Sequence, residues 1–310
     1  MPELPEVTTT VNGLQKVLPH LTIKDVWTDL ARSSVSRKDY KDTIKSKTFF
    51  TKFEKDVKGT KVKNVERRAK NILINLSNKK TILIHMKMTG HIMFGRYEYK
   101  KKENIWVPQK GERTALFDPF NKFLHFVIIF SNGKMMALSD MRKFAKVTLL
   151  STEEAHKTIH LSGIGPEPLD TSFTFEQFKE RLMKRPTGNI KTVLMDQSFI
   201  AGIGNIYSDE MLYLAGIHPE SKPDKLSTPL LKKLYESMKI VLIKGIDFGG
   251  DSTSDYRDIN GERGKFQAEH NAYRMTGKPC GKKSCRGVIL RKVINGRSAH
   301  FCSMHQTLYR

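Results

Sequence analysis

Gly202-Ile203-Gly204-Asn205-Ile206-Tyr207 can be read in two ways, and the choice sets the fold of the second half of the chain. A Gly-x-Gly ahead of a helix suggests a dinucleotide loop, which would require a parallel α/β sheet. That motif needs a third glycine and a preceding strand, and the sequence offers neither. Two glycines and an asparagine before a helix suit instead a tight turn between helices. The amides of such a helix start face outward and can hold a phosphate. Helical spacing surrounds the turn, over 173–183, 190–196, 206–215 and 229–245, with Gly and Pro at the joints. The second half is therefore read as an all-α unit.

Upstream, Leu161-Ser162-Gly163-Ile164-Gly165-Pro166-Glu167-Pro168-Leu169 breaks all periodicity and marks a hinge. Before it the chain reads mostly as strands, over 21–27, 72–76, 82–86 and 126–130. The last of these runs into Asn132-Gly133, a strong hairpin signal. One helix, 5–18, precedes the strands. The expected class is a multidomain α+β chain with a two-layer β-sandwich and its N-terminal helix over 1–155. A hinge over 156–170, a helical domain over 171–267 and a C-terminal module over 268–310 follow. The insertion 96–113 carries Lys100-Lys101-Lys102 beside Tyr97, Tyr99 and Trp106. It reads as a solvated hairpin tip, or as a patch that stacks and pairs with nucleic acid.

Downstream, 249–265 is polar, glycine-punctuated and too long for a routine connection, so it is expected to be mobile. All three cysteines follow it. Cys280-x4-Cys285 and Cys302-x2-His305 flank a hairpin with Asn295-Gly296 at its turn. An odd number of clustered cysteines favours a metal over disulfides, and two knuckles around a hairpin suit a zinc ribbon. His300 and His270 compete with His305 for the fourth position. Arg286, Arg291, Lys292 and Arg297 make the hairpin a basic finger.

The formal charge of +22 exceeds what solubility demands and points to a polyanionic partner, of which nucleic acid is the commonest. No run of 18 apolar residues exists, and the N-terminus lacks a basic segment followed by an apolar one. Work in the cytosol or on a nucleoid is expected. The chain opens Met1-Pro2-Glu3-Leu4-Pro5-Glu6-Val7. With Met1 removed, Pro2 offers a secondary amine titrating near ~8, beside a carboxylate. Such an amine condenses with an aldehyde carbon to a cationic iminium. The plainer reading is a helix start, with proline and acids in the first turn.

These blocks together with Arg67-Arg68-Ala69-Lys70, His85-Met86-Lys87-Met88-Thr89-Gly90, Asp140-Met141-Arg142-Lys143-Phe144, Gly165-Pro166-Glu167-Pro168-Leu169, Leu194-Met195-Asp196 and Ala215-Gly216-Ile217-His218-Pro219 resemble the formamidopyrimidine-DNA glycosylase / endonuclease VIII family, in family order from end to end. Leu4 resembles the formamidopyrimidine branch, because endonuclease VIII usually has glycine there. The resemblance implies a helix-two-turn-helix domain and a zinc finger. It also implies a monomer that excises oxidised purines from double-stranded DNA and then cleaves the abasic strand.

By resemblance, Pro2 is the nucleophile, Glu3 the acid/base at the sugar, and Lys70 a strand-borne lysine at the phosphate and sugar. Met88, Arg142 and Phe144 fill the hole left by the flipped base. Lys191, Asn205 and Arg297 contact phosphates, with His85 and Lys143 similarly placed. Cys280, Cys285, Cys302 and His305 hold one zinc ion. Glu6 resembles a second acid near the lesion, or a first-turn helix charge. The chain departs from the family in its Cys3His ligands, in Ala145 where glycine is usual, in an early loop that sets Lys70 farther along, and in 249–265, which aligns poorly with the family's lesion-capping loop. A noncatalytic nucleic-acid binder would be expected to lose Pro2, Glu3 or Lys70, and all three are present.

Overall fold

The computed structural model describes residues 1–34, 40–155, 158 and 161–310. The chain divides into two compact units, Met1–Ser162 with Phe248–Lys265, and Gly163–Asp247 with Phe266–Arg310.

The first unit is a sandwich of two four-stranded antiparallel sheets. One sheet orders β1 (Ile23–Thr28), β8 (Leu124–Phe130), β9 (Met135–Ser139) and β5 (His91–Gly95). The other orders β10 (Lys146–Ser151), β4 (Lys80–His85), β3 (Asn71–Leu76) and β2 (Val62–Arg68). Their inner faces share one core, from Ile72, Ile74, Ile82 and Ile84 to Phe126, Ile128 and Phe130. Helix α1 (Leu4–Val17) inserts Val7, Val11 and Leu14 into it. Burying these aliphatic and aromatic side chains drives assembly, at roughly 1.5–3 kcal/mol each when fully removed from water. The Asn132-Gly133 turn joins β8 to β9, with Phe130 donating its N–H to the Lys134 carbonyl at 2.9 Å.

Helix α2 (Lys47–Val57) was not expected. Its Phe49, Phe50, Phe53 and Val57 fall on one face at helical spacing and pack on the sandwich core, so its apolar stripe is present in the sequence. The insertion forms hairpin β6 (Tyr97–Lys100) with β7 (Ile105–Pro108). Its aromatics are occupied: Tyr99 and Trp106 pack 5.7 and 5.9 Å from Trp27, and Tyr97 is buried. Stacking on nucleic acid is thereby excluded for Tyr97 and Trp106, and the exposed lysines at the tip are what remains of that expectation.

Segment 249–265 corrects the sequence expectation of a mobile part of the helical domain, because it packs on the sandwich. Phe94 donates its N–H to the Ile259 carbonyl at 2.7 Å, and the Arg257 guanidinium meets the Asp118 carboxylate at 3.1 Å. Tyr256, Arg257 and Ile259 are all buried. Two of these three anchors are adjacent and one is an arginine, so they give no apolar periodicity, which is why the sequence reads as loose.

The second unit contains α3 (Phe175–Met183), α4 (Ile190–Met195), α5 (Asn205–Ala215) and α6 (Thr228–Asp247). Hairpin β11 (Ile289–Ile294) and β12 (Arg297–Cys302) completes it. Helix α5 is buried on nearly all sides, as its position between other elements requires. Gly216 ends it in the left-handed conformation, φ +77°.

Candidate active site and nucleic-acid interface

Glu3 is the N-cap of α1, and Pro5 stands in the first turn, where a missing N–H costs nothing. Glu3 and Glu6 form a capping box in which the Glu6 carboxylate accepts the Glu3 N–H at 2.7 Å. Its other oxygen accepts the Asp251 N–H at 2.7 Å. Glu6 therefore acts here as a clamp between the chain start and the 249–265 segment. Pro2, Glu3 and Glu6 are all buried.

Lys70 is not on a strand. Arg68 pairs with Asn71 across a two-residue turn, Ala69-Lys70, with Ala69 at φ +53°. The turn buries Lys70 to 5% exposure. Asn71 pairs in turn with His85 on β4, so turn and imidazole share one end of the sheet. Burial first, then the charges of Lys87, Lys70 and Lys146, push the His85 pKa down to about 3. His85 is therefore neutral at pH 7. Its Nδ1 accepts the Lys87 N–H at 3.0 Å, which leaves the proton on Nε2, a neutral donor.

Met88, Arg142 and Phe144 form one cluster. Arg142 Nη1 lies 3.2 Å from Met88 Sδ, and its guanidinium sits 4.6 Å from the Phe144 ring centre. Met88 is 42% exposed. Buried Asp140 supports the cluster, accepting the Thr89 hydroxyl and, at 2.7 Å, the Ala145 N–H. Thr89 in turn accepts the Arg142 N–H at 3.1 Å. Asp140 and Thr89 had no role assigned from sequence, although both stand inside the quoted blocks. Lys143 is exposed at the turn.

In the second unit, Asn205 opens α5 and Arg297 opens β12, directly after the Asn295-Gly296 turn. Asn295 at φ +47° and Gly296 at φ +74° suit a two-residue hairpin turn. Arg297 lines a groove of about 450 Å³ with Arg185, Asn189, Thr192 and Asn295.

Lys191 departs from its expected place as an accessible phosphate contact, being 1% exposed. Its ammonium meets the Asp209 carboxylate at 2.5 Å, and the other Asp209 oxygen accepts from the His300 backbone N–H at 3.0 Å and faces His300 Nδ1 at 2.8 Å. Lysine at the first turn of a short helix was legible as basic, but not as pointing inward. Lys191→Met would leave Asp209 buried without its cation, so we expect a loss of about 3–5 kcal/mol of stability, read from guanidinium unfolding. Pairing it with Asp209→Leu should recover only part of that loss, because the buried His300 N–H and ring then lose their acceptor. A single variant within about 0.5 kcal/mol of the parent would show that the pair is not stabilising the unit.

Sγ of Cys280, Cys285 and Cys302 and a ring nitrogen of His305 lie within 4.8 Å of one another. Three features fit this set to a tetrahedral ion. His305 Nε2 lies 3.0 Å from the Tyr213 carbonyl, which fixes its proton there and turns Nδ1 toward Cys280 Sγ at 3.2 Å. The N–H groups of Gly287 and Met304 point at Cys285 and Cys302 sulfurs, each at 3.4 Å. A Cβ on Gly287 would stand 2.6 Å from Cys302 Sγ, so only glycine fits beside the sulfurs. His300, a sequence alternative, faces Asp209 instead, and His270 packs edge-on against Phe266 and Tyr273.

Comparison with known proteins covers both units. Residues 1–147 match the formamidopyrimidine-DNA glycosylase N-terminal domain, and 164–257 match the formamidopyrimidine-DNA glycosylase H2TH domain. The formamidopyrimidine-DNA glycosylase of Heliobacterium modesticaldum is 35% identical over 302 residues, 97% of this chain and 98% of that one. That of Bacillus subtilis is 32% identical over 311 residues, 99% of each. A solved complex of Lactococcus lactis Fpg with DNA containing an abasic site superposes with TM-score 0.80 at 28% identity, covering 98% of this chain and 99% of that one. A variant of the same enzyme bound to Fapy-dG-containing DNA gives 0.79 at 28% identity, covering 99% and 100%. With both domain models matched in order and relatives aligned end to end, the chain belongs to the formamidopyrimidine-DNA glycosylase family.

Proposed function

We propose that this chain is a DNA glycosylase and abasic-site lyase of base excision repair, acting on double-stranded DNA that carries 8-oxoguanine, a formamidopyrimidine or an abasic site. The observation that carries the reading is the chain start, where Pro2 and Glu3 are held at the head of α1 by the Glu6 clamp. Once Met1 is removed, the Pro2 nitrogen attacks C1′ of the flipped nucleotide, and the base leaves with the electrons of the glycosidic bond. Glu3 delivers a proton to the ring oxygen as the sugar opens, and the nitrogen lone pair forms the iminium. The iminium acidifies the C2′ proton. Its loss expels the 3′ phosphate, a second elimination expels the 5′ phosphate, and water releases the sugar fragment from Pro2. Lys70 supports the reacting sugar and its phosphate.

Met88, Arg142 and Phe144 fill the space vacated by the base, for which a thioether, a guanidinium and an aromatic ring in mutual contact are suited. His85, Lys143, Asn205 and Arg297 contact phosphates and so position the duplex without reading sequence. Lys191 acts one step behind them, bracing α4 against α5. Zinc suits the three thiolates and one imidazole, where it would be structural and leave no open position. The protein is proposed to work with the DNA of the cytosol or nucleoid; among the described residues no helix is long and apolar enough to cross a membrane.

Borohydride trapping on a duplex with 8-oxoguanine opposite cytosine tests the reading. A covalent adduct supports it. An adduct only with a pre-formed abasic site would confine the error to lesion choice, and no adduct with either would favour a noncatalytic binder. Binding to the same duplex should weaken by about a thousandfold or more between about 50 and 200 mM salt if six or more phosphates are neutralised. A shallow slope would mean a much smaller phosphate footprint.

A further inference from the structure

Lys45 is 6% exposed, and its ammonium donates to the backbone carbonyl of Lys143 at 2.7 Å while lying 3.8 Å from the Tyr40 ring centre. Lys143 stands between Arg142 and Phe144 and has φ +56°. A side-chain-bearing residue keeps that left-handed conformation only where its surroundings impose it. Here the surroundings hold Lys143 at three points. Its N–H donates to the Asp140 carbonyl at 3.0 Å, its own carbonyl is taken by Lys45, and its ammonium lies 3.9 Å from Asp29. Asp29 is itself gripped by His125 Nδ1 at 2.9 Å.

The segment carrying Lys45 is fixed to the strand that follows the loop. Ile44 donates its N–H to the Val147 carbonyl at 3.0 Å, and the Thr148 hydroxyl donates to the Asp42 carbonyl. Lys45 and the Arg142–Phe144 turn therefore share one frame through β10. A buried ammonium is expensive, and an apolar side chain of the same length would pack there at lower cost. Its placement on the one carbonyl between exposed Arg142 and half-buried Phe144 calls for another account.

We infer that Lys45 is a positioning residue for the void-filling loop: by holding the Lys143 carbonyl it fixes the turn that sets Arg142 against both Met88 and Phe144. This rests on the proposed function. Lys45 is buried with its ammonium on the Lys143 carbonyl, and its effect is transmitted through the shape of the loop. The need for it arises only in duplex DNA, where flipping leaves a hole. A single-stranded abasic site presents the sugar without one.

The test compares Lys45→Met and Lys45→Arg with the parent in single-turnover assays. Excision of 8-oxoguanine from a duplex should fall about tenfold or more in Lys45→Met, the loss expected from one charged hydrogen bond, and recover at least partly in Lys45→Arg. Cleavage of a single-stranded oligonucleotide with a pre-formed abasic site should stay within about twofold, since no flipping is required. Equal loss in both assays, or loss in neither, would overturn the inference. If the parent itself excises nothing, the proposed substrate fails instead. The inference is then judged by fluorescence of 2-aminopurine opposite an uncleavable abasic analogue, which should rise on binding the parent and not on binding Lys45→Met. Should Lys45→Met fail to melt cooperatively, Lys45→Gln and Lys45→Arg take its place. Excision graded with the reach of the donor supports the role, and ungraded excision overturns it.

Discussion

Retaining Met1 ahead of Pro2 should abolish borohydride trapping and lower abasic-strand cleavage by about a thousandfold or more, the scale expected when a covalent route closes. The reason lies in the nitrogen. In a Met1-Pro2 peptide its lone pair is delocalised into the carbonyl, so it cannot attack C1′ or form an iminium. Free, it is a secondary amine whose lone pair is available for attack once its proton is lost. Binding to the lesion duplex should change little, because the phosphate contacts proposed here lie elsewhere. Glu3→Gln should leave trapping on a pre-formed abasic site less affected than excision, with excision down by about 10²–10⁴. Glutamine keeps an acceptor for the capping box, so melting should stay close to the parent's and separate chemistry from folding. Undiminished trapping in the Met1-retaining form would move the nucleophile to a lysine and remove Pro2 from the mechanism.

What the sequence made legible follows from how each signal is encoded. Strands 72–76 and 126–130 alternate or run apolar, and Asn132-Gly133 and Asn295-Gly296 demand turns, so those elements stand where expected. The anchoring of 249–265 depends on a few buried side chains set among charges, and composition conceals it, whereas helix α2 carries a legible stripe of Phe49, Phe50, Phe53 and Val57. The convergence of the three cysteines with a histidine was legible because such residue types at knuckle spacing are rare, but the choice among His270, His300 and His305 was not. It depends on which imidazole the Tyr213 carbonyl orients. Lys191 shows the same limit from the other side. Motif matching identified the position, but only packing reveals that its charge is spent on Asp209. Glu6 resolves similarly, since both its oxygens hold backbone amides from distant parts of the chain.

The C-terminal hairpin should stand or fall with its ion. Its own core is small, comprising Tyr213, Ala272, Cys280, Ile289 and Cys302, and a module of this size cannot hold itself together by apolar burial alone. Structural zinc contributes about 10–16 kcal/mol of apparent binding energy in isolated fingers, far more than such a core supplies. Cys302→Ser removes a ligand from the end of β12 and should reduce bound zinc from one per chain to near none. With β12 disordered, Arg297 loses its place beside the α4 groove, and affinity for lesion DNA should drop by about a hundredfold at moderate salt, with a shallower salt slope. His300→Ala provides the contrast. It breaks the bond to Asp209 but spares the ligands, so zinc should stay bound while stability falls by about 1–3 kcal/mol. His305→Cys restores a fourth soft ligand and should keep the ion. Metal analysis after dialysis, together with DNA titration of the three variants, decides the matter. Full zinc in Cys302→Ser, or its loss from His300→Ala, would show that the converging Cys3His group is not the site.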